Sequence, residues 1–189
     1  SLLARNFKKL DDLIPILAAR PNRTDQGWVH DAEGEFSDPL MGVAALHQVY
    51  AADPEPYTGR VTVPVLWDGK RKRMVSNESA DIVRMLNTAF EDLTPDTPDL
   101  YPEGLREAID AWNERIYATV NNGVYRAGFA STQEAYEDAA YAVFETLDAI
   151  DAHLAGQRYL AGERFTEADL RLFPTLARFD VAYHYPFRC

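Results

Sequence analysis

Three short stretches carry the residue types best suited to chemistry. Glu78-Ser79 follows a β-branched run and opens an amphipathic segment. A helix N-terminus offers free N–H groups and a partial positive charge, which suit a carboxylate. With the Ser79 hydroxyl as a further donor and Glu78 facing an ammonium, the pair can hold the zwitterionic end of an amino acid. Val63-Pro64 interrupts the preceding run. Proline cannot donate to a sheet ladder, so it marks an edge, a bulge or a cis bond. In the cis reading, the Val63 N–H and C=O pair with an extended peptide as another strand would. The third stretch is Asn121-Asn122-Gly123-Val124-Tyr125. Asparagine and glycine are poor mid-helix residues, so their clustering ends a helix or lines a site. The Tyr125 hydroxyl can then serve as a proton donor.

Other residues with chemical potential read less sharply. Trp28, after Gly27 in a long polar loop, is either a lid or a loop residue packed on the core. Tyr183, His184 and Tyr185 read as core packing. The single thiol, Cys189, has no helix N-terminus beside it and reads as structural. His30, His47, His153 and His184 show no metal spacing, and no phosphate loop or Ser–His–Asp signature is present. No metal and no bound cofactor are expected.

The elements that must position these residues fall into two groups. Leu2 to Leu13 reads as a helix, already under way without a cap, which leads us to expect residues upstream. Ile14 to Ala18 reads as a short strand, and Arg20 to Pro39 as a polar loop. A helix is expected from about Pro39 to Ala52, with the proline in its first turn. Val61 to Trp67 and Lys72 to Val75 read as a hairpin turning at Asp68-Gly69. Asn77 to Phe90 is an amphipathic helix with Ile82, Met85, Leu86 and Phe90 on one face. Thr94 to Pro102 holds three prolines and reads as a linker. Beyond it only helices are expected. Leu105, Ile109, Trp112 and Ile116 line the first. Ser131 with Glu134 forms a capping-box pattern opening the second, whose apolar stripe runs from Tyr136 to Leu154. Thr166 with Asp169 forms another, opening the third. The division expected is an α/β domain over 1–93 and a helical domain over 94–189.

Composition narrows the partners. The chain has 189 residues, 47% apolar, which suits a globular protein of one ordinary or two small domains. Its 30 acidic against 19 basic residues give a net charge of -11. Nucleic-acid phosphate and anionic membranes both favour a basic face, so neither is expected as a partner. The acidity fits a well-solvated surface or a salt-adapted host. No run approaches a membrane span, and no signal peptide is expected. One cysteine means no internal disulfide, in keeping with a reducing compartment.

The order of these motifs resembles the glutathione transferase fold: a Val-Pro strand, a hairpin, Glu-Ser at a helix start, a proline linker, then helices with a Thr-x-x-Asp box. More closely, Gly59 to Asp68, Asn77-Glu78-Ser79, Val120 to Tyr125, Gln133 to Glu137, Thr166 to Asp169 with Arg178-Phe179-Asp180, and Thr24 to Trp28 resemble the glutathionyl-hydroquinone reductases, the Xi class. The resemblance implies a thioredoxin-like N-terminal domain followed by a transferase-type helical domain. It also implies reduction of glutathionyl-hydroquinones. A cysteine in a Cys-Pro-Trp-Ala segment attacks the glutathionyl sulfur, the hydroquinone leaves, and a second glutathione releases the enzyme. Tyr125 matches the family's proton-donating tyrosine, and Tyr183 one that lowers the cysteine pKa. Trp28, Arg60, Val61, Thr62 and Val63, with Glu78 and Ser79, match the glutathione contacts.

The cysteine segment is expected just before Ser1, and a further tyrosine beyond Cys189. Glutathione is the expected co-substrate, or γ-glutamylcysteine if the host is salt-adapted, since Glu78-Ser79 reads only the γ-glutamyl end that both share. The expected partners are therefore a small thiol and a quinone thioether, in a cytoplasmic homodimer. Two alternatives stand beside this: a general deglutathionylating thiol transferase and a non-catalytic scaffold.

Overall fold

The computed structural model describes residues 1–189. The chain forms two compact units, Ser1–Thr97 and Pro98–Cys189. No helix is long and apolar enough to cross a membrane.

The first unit is mixed. Helix α1 spans Leu2–Phe7, shorter than the twelve-residue pattern suggested. Lys9 adopts a left-handed φ of 52°. The Leu10 amide reaches the Arg5 carbonyl at 3.0 Å, and the Lys9 amide reaches Asn6 at 3.0 Å. This is a Schellman ending, with lysine where glycine is usual. The expected strand at Ile14 to Ala18 is absent; Pro15 removes a ladder donor, and Ile16 and Leu17 are exposed. The helix expected from Pro39 is confined to α2, Leu46–Ala51. The buried Asp38 carboxylate draws the preceding residues into a loop instead, accepting from the amides of Leu40 (3.0 Å), Met41 (3.1 Å) and Val43 (3.4 Å). Gly42 completes the bend at a φ of 68°.

Strands β1 (Leu66–Asp68) and β2 (Arg73–Ser76) pair antiparallel, with a register shift between Leu66 and Trp67. The strand expected over Val61 to Trp67 is confined to Leu66–Asp68, since the cis Val63–Pro64 bond and the Tyr50 bonds to Thr62 keep the earlier residues out of a ladder, but the hairpin turns after Asp68 as expected. Its Oδ1 accepts from the amides of Lys70 and Arg71 at 3.0 and 2.9 Å. Helix α3, Ser79–Thr88, follows directly and buries Ile82, Val83, Leu86 and Asn87. The core beneath the hairpin is built on Leu46, Val49 and Tyr50, against which Trp28, Val61 and Val65 pack.

The second unit is helical. Helix α4 spans Arg106–Ile116, and a π-helical stretch, Tyr117–Asn121, joins it to α5, Gly123–Gly128. Helix α6 runs Gln133–Leu154. Its cap is Thr132, whose hydroxyl accepts from the Ala135 amide at 3.2 Å, one residue beyond the expected Ser131–Glu134 pair. Helix α7, Glu167–Ala177, begins as the sequence predicts: Asp169 Oδ2 accepts from the Thr166 amide at 2.9 Å and hydroxyl at 3.0 Å. The other oxygen takes the Leu160 amide at 2.8 Å. A second π-helical stretch, Phe179–His184, leads into α8, Tyr185–Phe187. Two cores result. One holds Ile109, Ile116, Val120 and Leu172, and the other holds Val124, Val143, Tyr183 and Cys189. The proline-rich linker reaches into the first unit's successor: Leu100 is fully buried and its carbonyl accepts from the Glu167 amide at 2.8 Å.

Candidate functional site

The first unit brings several of the sequence-selected residues onto one hydrogen-bonded framework. The Val63–Pro64 bond is cis. Val63 is half exposed, and its N–H and C=O bond to nothing in the unit. Such a pair of open groups is the requirement for docking an extended peptide. The residues before it are held from within. Tyr50, nearly buried on α2, donates its hydroxyl to the Thr62 carbonyl at 2.7 Å. The same hydroxyl accepts from the Thr62 amide at 3.3 Å. Tyr57 donates to the Arg60 carbonyl at 3.0 Å, and its ring meets Tyr50 edge-on at 4.9 Å. Asn77 Nδ2 donates to the Tyr57 hydroxyl at 3.0 Å and to Thr62 Oγ1 at 3.2 Å.

Glu78 is the N-cap of α3, in extended conformation, and no side chain closes the helix N-terminus. Its amide donates to Ser76 Oγ at 3.0 Å. Glu78 and Ser79 are both exposed. Trp28 is half-buried and packs on the α2 core, which answers the lid-or-core alternative for its ring in favour of packing. Arg23 lies over that ring at 5.5 Å. The Trp28 carbonyl accepts from the Leu46 amide at 2.9 Å, fixing the loop to α2. The sequence does not single out Tyr50 or Tyr57, and it marks Asn77 only as a helix start and part of the Asn77-Glu78-Ser79 stretch, with no role of its own. Their partners are carbonyls and hydroxyls 3 to 20 residues away, and nothing in local spacing marks them.

The second unit brings Tyr125 and Tyr183 together. Their hydroxyls lie 3.2 Å apart, across 58 residues of sequence, and their rings meet edge-on at 5.6 Å. Tyr183 is buried at 5% exposure, whereas Tyr125 is exposed at 45%. Burial, reinforced by the Tyr125 hydroxyl, pushes the Tyr183 phenol up to about 12. It therefore keeps its proton through the physiological range. The ring of Phe187 meets Tyr125 edge-on at 5.6 Å. That close packing depends on Gly128: a Cβ there would lie 2.2 Å from Phe187 Cγ. Cys189 is buried at 3% exposure, and burial pushes its thiol up. A buried, proton-retaining thiol is inert as a nucleophile, as the sequence suggested.

Residues 1–89 match the family model for the glutathione S-transferase N-terminal domain, and residues 133–188 that for the C-terminal domain. Over its whole length the chain is 48% identical to the glutathionyl-hydroquinone reductase PcpF of Sphingobium chlorophenolicum, of which it covers 60%. The glutathione-bound structure of YqjG from Escherichia coli K-12 matches with a TM-score of 0.95 at 46% identity, over all of this chain and 62% of that one. Glutathione transferase Xi 1 from Trametes versicolor matches with a TM-score of 0.94 at 46% identity, over all of this chain and 67% of that one. The chain belongs to the glutathione transferase family, in its Xi class. Its first unit is accordingly thioredoxin-like and its second the helical transferase domain. The chain spans about three fifths of the length of the curated relatives it matches.

Proposed function

We propose that the protein reduces glutathionyl-hydroquinones to hydroquinones at the expense of a γ-glutamyl thiol. The reading assigns thiol holding to residues 1–93 and proton donation to residues 94–189. The observation that carries it is the tyrosine pair: an exposed hydroxyl, Tyr125, bonded to a buried phenol that keeps its proton. The names of relatives 48% identical to the chain support the same reaction. The open Val63 backbone pair docks the thiol peptide, the stretch from Arg60 to Thr62 and Trp28 flank it, and the uncapped N-terminus of α3 takes the α-carboxylate. The Ser79 hydroxyl adds a donor to that carboxylate, and Glu78 takes the ammonium.

The chemistry follows in balance. A cysteine thiolate attacks the sulfur of the bound thioether, forming a disulfide as the carbon–sulfur bond breaks. The electron pair stays on the ring carbon, which takes a proton from Tyr125. A second thiol attacks the mixed disulfide, leaving as a symmetric disulfide and restoring the thiolate. Cys189 cannot serve here because it is buried. The Cys-Pro-Trp-Ala segment implied by the resemblance lies outside residues 1–189. The co-substrate is glutathione or γ-glutamylcysteine, and the net charge of -11 favours trying both. A cytoplasmic homodimer is the expected setting.

The test uses full-length protein, a glutathionyl-hydroquinone and excess thiol, with hydroquinone release followed against a variant lacking the nucleophilic cysteine. Release by the native protein alone supports the reading. Release from mixed disulfides at a far higher rate would assign a general thiol transferase, and thiol binding without turnover of either would assign a scaffold.

A further inference from the structure

We propose that Asn77 is a positioning residue for the thiol, its one side-chain amide setting the spacing between the Val63 edge and the N-terminus of α3. The proposal rests on the reading that these two features together grip a γ-glutamyl thiol. Asn77 immediately precedes the Glu78 cap. Its Nδ2 donates to Thr62 Oγ1 at 3.2 Å and to the Tyr57 hydroxyl at 3.0 Å. Thr62 is the residue before Val63, and the first of these bonds closes a span of 15 residues. By the covalent route, the same two points are joined only around the whole β1–β2 hairpin.

The bridge does not stop at Asn77. Tyr57 passes it on by donating to the Arg60 carbonyl at 3.0 Å. Tyr50 fixes the same segment from the core, taking both backbone groups of Thr62 on one hydroxyl. The polar groups of Thr62 are therefore spent inward, and the open pair begins at Val63. A ligand held at two points binds well only if the two stay at the right separation. Both hydrogens of the Asn77 amide are used within the protein, so its NH2 acts through Thr62 and Tyr57 and has no donor left for the ligand. Its side chain is half-buried and outside the apolar cores, so its removal opens no large cavity.

The test is Asn77→Ala in the full-length protein, with thiol affinity measured by calorimetry and turnover measured across thiol concentrations. Losing two hydrogen bonds predicts about tenfold weaker glutathione binding. KM for thiol rises by a similar factor, kcat at saturating thiol stays unchanged, and γ-glutamylcysteine weakens by the same factor as glutathione. Tyr57→Phe keeps the ring and loses the hydroxyl's bonds to Asn77 and Arg60, but leaves the direct Asn77–Thr62 bond, so it weakens binding less. Combined with Asn77→Ala it adds less than its own separate effect, because the two variants share the Asn77–Tyr57 bond. Should the alanine variant not fold, Tyr57→Phe alone carries the test. Unchanged affinity in the folded variants, or a fall in kcat with KM unmoved, overturns the proposal. Failure of the native protein to bind either thiol overturns the reading beneath it instead, and is seen separately.

Discussion

The two units solve the problem of holding a functional group in opposite ways. In the first, single side chains pin the backbone at chosen points. Asp38 gathers three amides, Gln48 Oε1 takes the amides of Ala44 and Ala45, and Tyr50 secures Thr62 from both sides. Regular structure there is slight: two strands of three and four residues and three short helices. In the second unit, helix ladders satisfy the backbone, and fully buried Ile109, Ile116, Val120 and Val143 hold the helices together. The difference teaches where each unit is fragile. Point anchors fail one at a time and locally, whereas a packed core spreads damage through the unit.

The largest expected effect tests the chemical side of this contrast. Tyr125→Phe should cut hydroquinone release by roughly 10²–10⁴-fold, the range for general acid catalysis. Thiol affinity should stay as it was, and a main effect on affinity instead would break the assignment of proton donation to the second unit. Next comes the core. Ile109→Ala should cost about 2–5 kcal/mol in urea unfolding, since the side chain is wholly buried. Asp38→Ala removes the acceptor for three amides and should cost about 1–3 kcal/mol. Its signature should be faster amide exchange confined to residues near 38–43. Exchange rising across the whole unit would erase the distinction drawn here.

The Thr132 cap on α6 is a smaller matter: Thr132→Ala should cost about 1 kcal/mol. The gentlest probe is pH. Hydrogen bonds donated by the backbone N–H groups of Glu55 and Met74 hold the Asp53 carboxyl below its ordinary 3.8, so its contribution is present above that pH and lost on acidification. Tyr183 has the opposite sign. Its raised value gives stability that is complete below pH 10 and lost as pH rises towards about 12. Acid should therefore loosen the region around β2 first and alkali the tyrosine pair, as local fluorescence or exchange would show.

What could be read from the sequence followed the range of the forces involved. The Thr166–Asp169 box, the Asp68 turn and the Glu78 helix start depend on neighbours within a few residues, and each is where the residue types put it. The end of α1 was hidden because Lys9 takes a conformation usually given to glycine. The start of α2 was hidden because the Asp38 carboxylate, not a helix, satisfies the following amides. At α6 the motif was present but read one residue early, at Ser131. The Tyr125–Tyr183 pair and the Asn77 bridge join distant segments, and a single sequence contains no signal for such pairings.

Length changes and substitutions should meet different fates in the two π-helical stretches. Each residue of a helix turns the next by about 100°, so the wider turn at Phe179–His184 sets the rotation of everything after it. Deleting one residue there would restore ordinary α-helix at the cost of swinging Phe187 away from the hollow above Gly128. The same holds for Tyr117–Asn121 and the heading of Tyr125 on α5. These stretches should therefore tolerate the exchange of one side chain for another far better than the gain or loss of a residue.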